Sequence, residues 1–251
     1  MSHDTQHADD GHDLPDGRSA FIRATDAFGR FVVRSLVHVK LEGLDQPLPK
    51  SGPLIIASNH LSNADGVLVA SWLTPALNRR VYLLGKQEAL DWPLIGLGLR
   101  YNAVIGIRRG ASDLEGFRAA RRVLDEGHVL AVFPEGTRSP TGGLQEAKDG
   151  IAILALRTGA PILPVGLSGT DRFWPRGDRP HYGGTIGLRV GRPFTVGGGA
   201  GGSTGGDRRQ AQHQATEEIM TRVAELLPPR HRGAYADQVR KSAGTTVGTD
   251  G

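Results

Sequence analysis

The sequence predicts a layered α/β fold, a largely parallel sheet flanked by helices, and three observations support it. Short runs rich in branched apolar residues alternate with segments of helical period. The 251 residues suffice for one moderately large domain with a substantial core, while two full domains would be cramped. No internal repeat interrupts the alternation.

The elements follow in order. Residues 1–17 hold five Asp, three His (His3, His7, His12) and no Lys or Arg, which predicts a solvated, disordered tail. Metal binding by those histidines would need a scaffold to gather the imidazoles, and nothing nearby offers one. Residues 19–36 have helical period: Phe21, Thr25, Phe28, Val32 and Leu36 form one stripe, with Arg23, Arg30 and Arg34 on the other side. Such an amphipathic helix can lie in an anionic membrane interface or pack its stripe on the core, and the pattern alone serves both. Strands are predicted near Val37–Leu41, Leu54–Ser58, Val81–Leu84, Ala103–Ile107, Val129–Phe133, Ile162–Leu167 and Ile186–Val190. Helices are predicted near 65–77, 112–126, 147–158 and 207–227, with Ser112 and Glu115 as a capping box. Gly197–Gly206 matches a dinucleotide glycine fingerprint only because seven of its ten residues are glycine; without a following strand and acidic ribose ligand it reads as a flexible linker. The expected domain is therefore 18–239, with a second loose tail over 240–251.

Composition narrows the function. There is no Cys, which excludes a disulfide framework, thiolate metal sites and a cysteine nucleophile, and fits a cytosolic protein. The net charge is +4, and the acidic tail carries −5, so the body is +9. A basic body suits nucleic acid, phosphorylated metabolites or acidic membrane. Nucleic acid is disfavoured, because no recognised module is present and aromatic content is only 6%. No run reaches the roughly 18 apolar residues of a spanning helix, so any membrane contact is expected to be peripheral.

Two segments carry the chemistry. Strand Leu54–Ser58 runs into Asn59-His60-Leu61-Ser62-Asn63-Ala64-Asp65, which places His60 beyond a strand end and Asp65 in the first turn of a helix. Folded together, the two make a general base, the carboxylate fixing the ring tautomer and stabilising the imidazolium. The plainer alternative is a helix cap beside a satisfied loop histidine. Strand Val129–Phe133 runs into Pro134-Glu135-Gly136-Thr137-Arg138-Ser139. Gly136 permits close backbone approach, Arg138 offers a fork for phosphate oxygens, and Glu135 can orient that Arg or accept from a substrate hydroxyl. An ordinary turn with a surface ion pair is the competing reading. A serine hydrolase would want G-x-S-x-G, and Gly166-Leu167-Ser168-Gly169 has the wrong spacing.

Asn-His60-x-Ser-x-x-Asp65 followed by Phe133-Pro-Glu-Gly-Thr-Arg138-Ser139 resembles the glycerolipid acyltransferase family. Ala103-Val-Ile-Gly-Ile-Arg-Arg109-Gly110 is similar to that family's middle motif and Ala160-Pro161-Ile-Leu-Pro164-Val165 to its last, in the family's order across residues 54–170. The resemblance implies a mostly parallel mixed sheet, His60 as base and Asp65 as its partner. It further implies that Arg109, Glu135, Gly136, Thr137 and Arg138 bind the acceptor phosphate, and that the Pro164 strand lines the donor site. Lys86 is either another phosphate contact or a solvated lysine. The donor would be acyl-CoA or acyl carrier protein, with no cofactor, and backbone N–H groups near the helix start would hold the oxyanion. The acceptor would be lysophosphatidate, giving phosphatidate for phospholipid biosynthesis at the cytoplasmic face of an anionic membrane. Glycerol 3-phosphate, another lysophospholipid, or water in a thioester hydrolase remain as alternatives to that acceptor.

Overall fold

A computed structural model describes residues 20–86, 104–107, 113–175, 178–197 and 205–246. The tail 1–17, Arg108 and Arg109, the Ser112 cap, most of the glycine linker and residues 247–251 lie outside them.

The predicted alternation is present. Helix α1 (Ala20–Leu36) leads to strands β1 (His38–Glu42) and β2 (Leu54–Ser58), then to α2 (Asp65–Leu77), β3 (Val81–Lys86) and β4 (Val104–Ile107). Next come α3 (Asp113–Asp125), β5 (Val129–Val132), α4 (Gly150–Thr158), β6 (Ile162–Ser168), a single turn α5 (Thr170–Phe173) and β7 (Thr185–Val190). The chain continues with α6 (Gly205–Glu225), the 3-10 turns Pro229–His231 and Gly233–Tyr235, and α7 (Ala236–Thr246). Among the described residues the sheet has seven strands in the order β1-β7-β6-β2-β5-β3-β4. Every pairing is parallel except β6 with β7, so the sheet is mixed and mostly parallel.

Central strands β2 and β6 are buried on both faces, which is why they read as unbroken apolar runs rather than alternating ones. Leu54 and Ile56 of β2 join one core layer with Leu68, Val69 and Leu73 of α2. Ile55 and Ala57 point the other way, into a layer with Leu124 of α3, Ile151 and Leu154 of α4, and Ile219 and Val223 of α6. Each fully buried Leu or Ile contributes about 1.5–3 kcal/mol.

This arrangement creates a crevice. β2 leaves the sheet toward α2 on one face, and neighbouring β5 leaves toward α4 on the other, so the strand order reverses between them. Ala57 pairs with Val132, which brings the loops starting at Asn59 and Phe133 out side by side.

Helix α1 differs from the expected stripe. Pro75 inside α2 has no N–H to give Ser71, and the freed Ser71 carbonyl accepts from Arg30 Nη1 at 2.7 Å. Arg30, expected on the solvated basic side, is thereby turned inward beside the buried Asp26. Val33 and Leu36 pack on the core, while Phe28 and Phe31 stand 68% and 69% exposed. The side chains of Phe21 and Thr25 are outside the described set.

Two boundaries also shift. Helix α4 begins at Gly150 rather than near 147; the Ala147 and Lys148 N–H groups donate to Tyr235 Oη and the Pro134 carbonyl, which ties the stretch before the helix to its neighbours. Helix α7 continues through Thr246, where a loose tail from 240 was expected. Its buried Val239 packs with Tyr235 and Leu144.

Candidate active site

His60 and Asp65 meet as the five-residue step requires. Asp65 is fully buried at the first turn of α2, where the helix dipole favours a carboxylate. Its Oδ2 accepts from His60 Nδ1 at 2.9 Å, from the Leu61 N–H at 2.6 Å and from the Ser62 N–H at 2.7 Å. Because Nδ1 is the donor, Nε2 of a neutral ring carries the lone pair. The His60 side chain is 22% exposed, and its ring stacks on Phe133 at 4.2 Å with an 18° interplanar angle. The pair is therefore a rigidly held imidazole with a carboxylate behind it and one free basic nitrogen.

The neighbouring loop grips the same residue through its backbone. Glu135 Oε1 accepts from the His60 N–H at 2.8 Å, and the Ser139 N–H donates to the His60 carbonyl at 2.8 Å. The other Glu135 oxygen accepts from the Gln145 N–H at 2.9 Å. Burial pushes the Glu135 carboxyl above its ordinary range, and the Gln145 and His60 donors partly counteract this. Both of its oxygens are engaged with protein donors, so Glu135 ties loops together where a substrate contact or an Arg138 partner was expected.

Gly136 follows in a left-handed conformation, φ +71°, closing a turn in which its N–H donates to the Phe133 carbonyl at 3.0 Å. The Lys148 side chain lies across it: a Cβ at Gly136 would come 3.3 Å from Lys148 Cε. Thr137 is exposed and Arg138 half-buried. Arg138 Nη1 is buried and makes no hydrogen bond among the described residues. Such a donor is costly unless an anionic acceptor meets it.

Three expectations fare differently. Lys86 ends β3 level with Ile107, so its backbone reaches the same edge of the sheet, while its side chain and Arg109 are outside the described residues. Pro164 lies buried in mid-strand, paired with Ala57, as part of the sheet's interior. The N–H groups near the start of α2 are largely taken: Leu61 and Ser62 serve Asp65, Ala64 donates to Ser62 Oγ and Asp65 to the Ser62 carbonyl. These four are not available to an oxyanion.

Several supporting residues escaped the sequence reasoning. Asn59 clamps the loop to the end of β6, its Nδ2 donating to the Leu167 carbonyl at 2.9 Å and its Oδ1 accepting the Leu167 N–H at 2.8 Å. Ser62 Oγ donates to the Trp174 carbonyl at 2.9 Å. Both sit in the quoted motif, so their polarity at a buried strand end was a usable signal. Gln145 has no such local mark. Among the described residues, no group of His, Asp and Glu has the arrangement of a metal site.

The chain is similar to known proteins. The acyltransferase family profile matches residues 38–168. A 1-acyl-sn-glycerol-3-phosphate acyltransferase of Limnanthes douglasii is 33% identical over 144 residues, 56% of this chain and 49% of the relative. One of Pseudomonas aeruginosa is 26% identical over 204 residues, covering 80% of this chain and 75% of the relative. The crystal structure of the 1-acyl-sn-glycerophosphate acyltransferase PlsC of Thermotoga maritima superposes with a TM-score of 0.60 at 26% identity, covering 79% of this chain and 78% of that one. The chain spans about half the length of the Limnanthes relatives it matches. With the profile running from β1 through the His60 and Glu135 loops to the end of β6, this chain belongs to the acyltransferase family.

Proposed function

We propose that the protein transfers a fatty acyl group from acyl-CoA or acyl carrier protein to the free hydroxyl of 1-acylglycerol 3-phosphate, giving phosphatidate. The observation that carries the reading is the His60–Asp65 pair, with Nδ1 held at 2.9 Å from a fully buried carboxylate at the mouth of the sheet's crevice. The names of the matched relatives support the choice of acceptor.

In the proposed reaction His60 Nε2 takes the proton from the acceptor hydroxyl as its oxygen attacks the thioester carbonyl carbon. A C–O bond forms and the carbonyl becomes a tetrahedral oxyanion. Collapse breaks the C–S bond, and the leaving thiolate takes the proton back from the imidazolium. Asp65 stabilises the imidazolium throughout, as in other His–carboxylate pairs. No covalent enzyme intermediate is needed.

The buried, unpartnered Nη1 of Arg138 supports a role for that side chain in holding the acceptor phosphate, where a planar fork is best used. Arg109 and Lys86 are proposed to assist in holding that phosphate. Peripheral contact with anionic membrane is supported by Phe28, Phe31 and Val32, which leave α1 with an apolar face turned away from the core, close to the exposed Arg34. Among the described residues no helix is long and apolar enough to cross a membrane.

The test is a panel of acceptors (lysophosphatidate, glycerol 3-phosphate, other lysophospholipids and none) incubated with labelled acyl-CoA or acyl carrier protein, with products identified by mass. Phosphatidate formed in preference to the other esters is expected. Release of free acid at the same rate with and without acceptor would identify a hydrolase instead.

A further inference from the structure

The segment Pro229–Tyr235 lies outside the residues that match the family, 38–168, yet it holds the loop that holds His60. The Leu144 N–H donates to the His231 carbonyl at 3.0 Å, and the Ala234 N–H returns to the Leu144 carbonyl at 2.9 Å. The Ala147 N–H donates to Tyr235 Oη at 3.1 Å, and His231 Nδ1 donates to the Gly142 carbonyl. His231 is buried, and its Nε2 lies 3.0 Å from Arg230 Nε and 3.9 Å from Asp171 Oδ1, so both ring nitrogens face protein partners. Gly233 has φ +46°, and a Cβ there would meet the Leu144 carbonyl oxygen at 2.1 Å, so the two backbones touch directly.

The held loop passes this constraint on. Ser139 Oγ accepts the Gly142 N–H at 3.0 Å and donates to the Gly143 carbonyl at 2.6 Å, while the Ser139 N–H donates to the His60 carbonyl. Gln145 bonds Glu135, whose other oxygen accepts the His60 N–H. Gly142, Leu144 and Ala147 are thus fixed from the C-terminal side, and Ser139 and, through Glu135, Gln145 hold the carbonyl and the N–H of His60.

We infer that His231 and Tyr235 are positioning residues of the active site, acting through the 139–147 loop to hold the His60 ring in place. The inference rests on His60 being the general base. Neither side chain touches the ring, so their effect should fall on kcat rather than on donor binding.

The test uses the full-length chain and four variants assayed beside wild type and His60→Ala, with thermal unfolding measured for each. His231→Leu removes the Nδ1 donor and is expected to lower kcat by about tenfold or more with donor KM unchanged, a small displacement of a catalytic group being enough for that. His231→Asn keeps an N–H near the Nδ1 position and is expected to recover most of the loss. Tyr235→Phe keeps the ring packing, loses only the acceptor for Ala147, and is expected to lower kcat with little loss of stability, which keeps the inference testable if His231→Leu fails to fold. Val223→Ala loosens a different core layer, which contains no residue of the 139–147 loop, and should lower the unfolding temperature while the folded protein keeps its kcat. Wild-type kcat in folded Tyr235→Phe and His231→Leu, with His60→Ala inactive, would overturn this inference alone. Full activity of His60→Ala would overturn the base assignment and this inference with it.

Discussion

Replacing Asp65 by Asn separates the shape of the site from its charge. The amide keeps an oxygen for the Leu61 and Ser62 N–H groups, now at 2.6 and 2.7 Å from Oδ2, so the loop should retain its course. Exchanging charge-assisted bonds for neutral ones should cost about 1–2 kcal/mol of stability. The kinetic effect is larger. With His60 Nδ1 at 2.9 Å from Oδ2, the charge centres of imidazolium and carboxylate lie about 4 Å apart, worth about 4 kcal/mol at an effective dielectric near 20. At about 1.4 kcal/mol per decade that is about a 10³-fold loss of kcat if the amide compensates nothing, and about 10² if its dipole restores a third. The assay is transfer of labelled acyl groups from acyl-CoA to lysophosphatidate at saturating levels of both, with circular dichroism and thermal unfolding to establish the folded fraction. Folded Asp65→Asn within about fivefold of wild-type kcat, a difference of only about 1 kcal/mol, would refute the electrostatic role of Asp65.

Other consequences are as specific. Arg138→Ala should raise the acceptor KM by about 10–100-fold, the loss of a charge-assisted pair, with donor KM nearly unchanged; Arg138→Lys should recover only part of it, since an ammonium lacks the fork. Phe28→Asp with Phe31→Asp should abolish sedimentation with anionic vesicles while leaving the unfolding temperature nearly unchanged, because both rings are already about two-thirds exposed; unfolding of that variant would return the helix face to the core. Asp26 gives a pH signature. Burial, opposed by Arg30 and Arg80, raises its pKa from 3.8 to about 6, so between those values the native state holds a proton the unfolded chain has lost. Stability should therefore fall as pH rises through that window, by up to about 3 kcal/mol, and Asp26→Asn should flatten that part of the stability curve. Parallel curves for variant and wild type would show that Asp26 does not titrate in this way.

The sequence carried the fold further than the supports of the site. β2 and β6 were legible because strands buried on both faces are written as unbroken branched apolar runs, and α2 because a mostly apolar segment of helical length runs on to the left-handed Asn78. The His60–Asp65 contact was legible because a strand end, a short loop and a first helical turn leave the carboxylate little choice of partner. Glu135 stood out by its place at a strand end, but its contacts were not legible, since its partners come from the backbone of His60 and from Gln145, which no local spacing announces. Arg30 was placed on the wrong side of α1 for a similar reason: the period of α1 does not reveal that Pro75, far along the chain, frees a carbonyl for it. The brace from Pro229–Tyr235 was invisible, because two 3-10 turns have no sustained periodicity and the bonds that matter to the site cross to a distant loop.

The most direct measurement is the initial rate of acyl transfer to lysophosphatidate by purified, folded His60→Ala at saturating donor and acceptor. Nε2 is the one basic nitrogen that the Asp65 contact leaves unprotonated, so its removal should lower kcat by about 10²–10⁴ while acceptor binding persists. A folded His60→Ala protein that keeps more than about a tenth of wild-type kcat, far above what loss of a general base allows, would contradict the proposed mechanism.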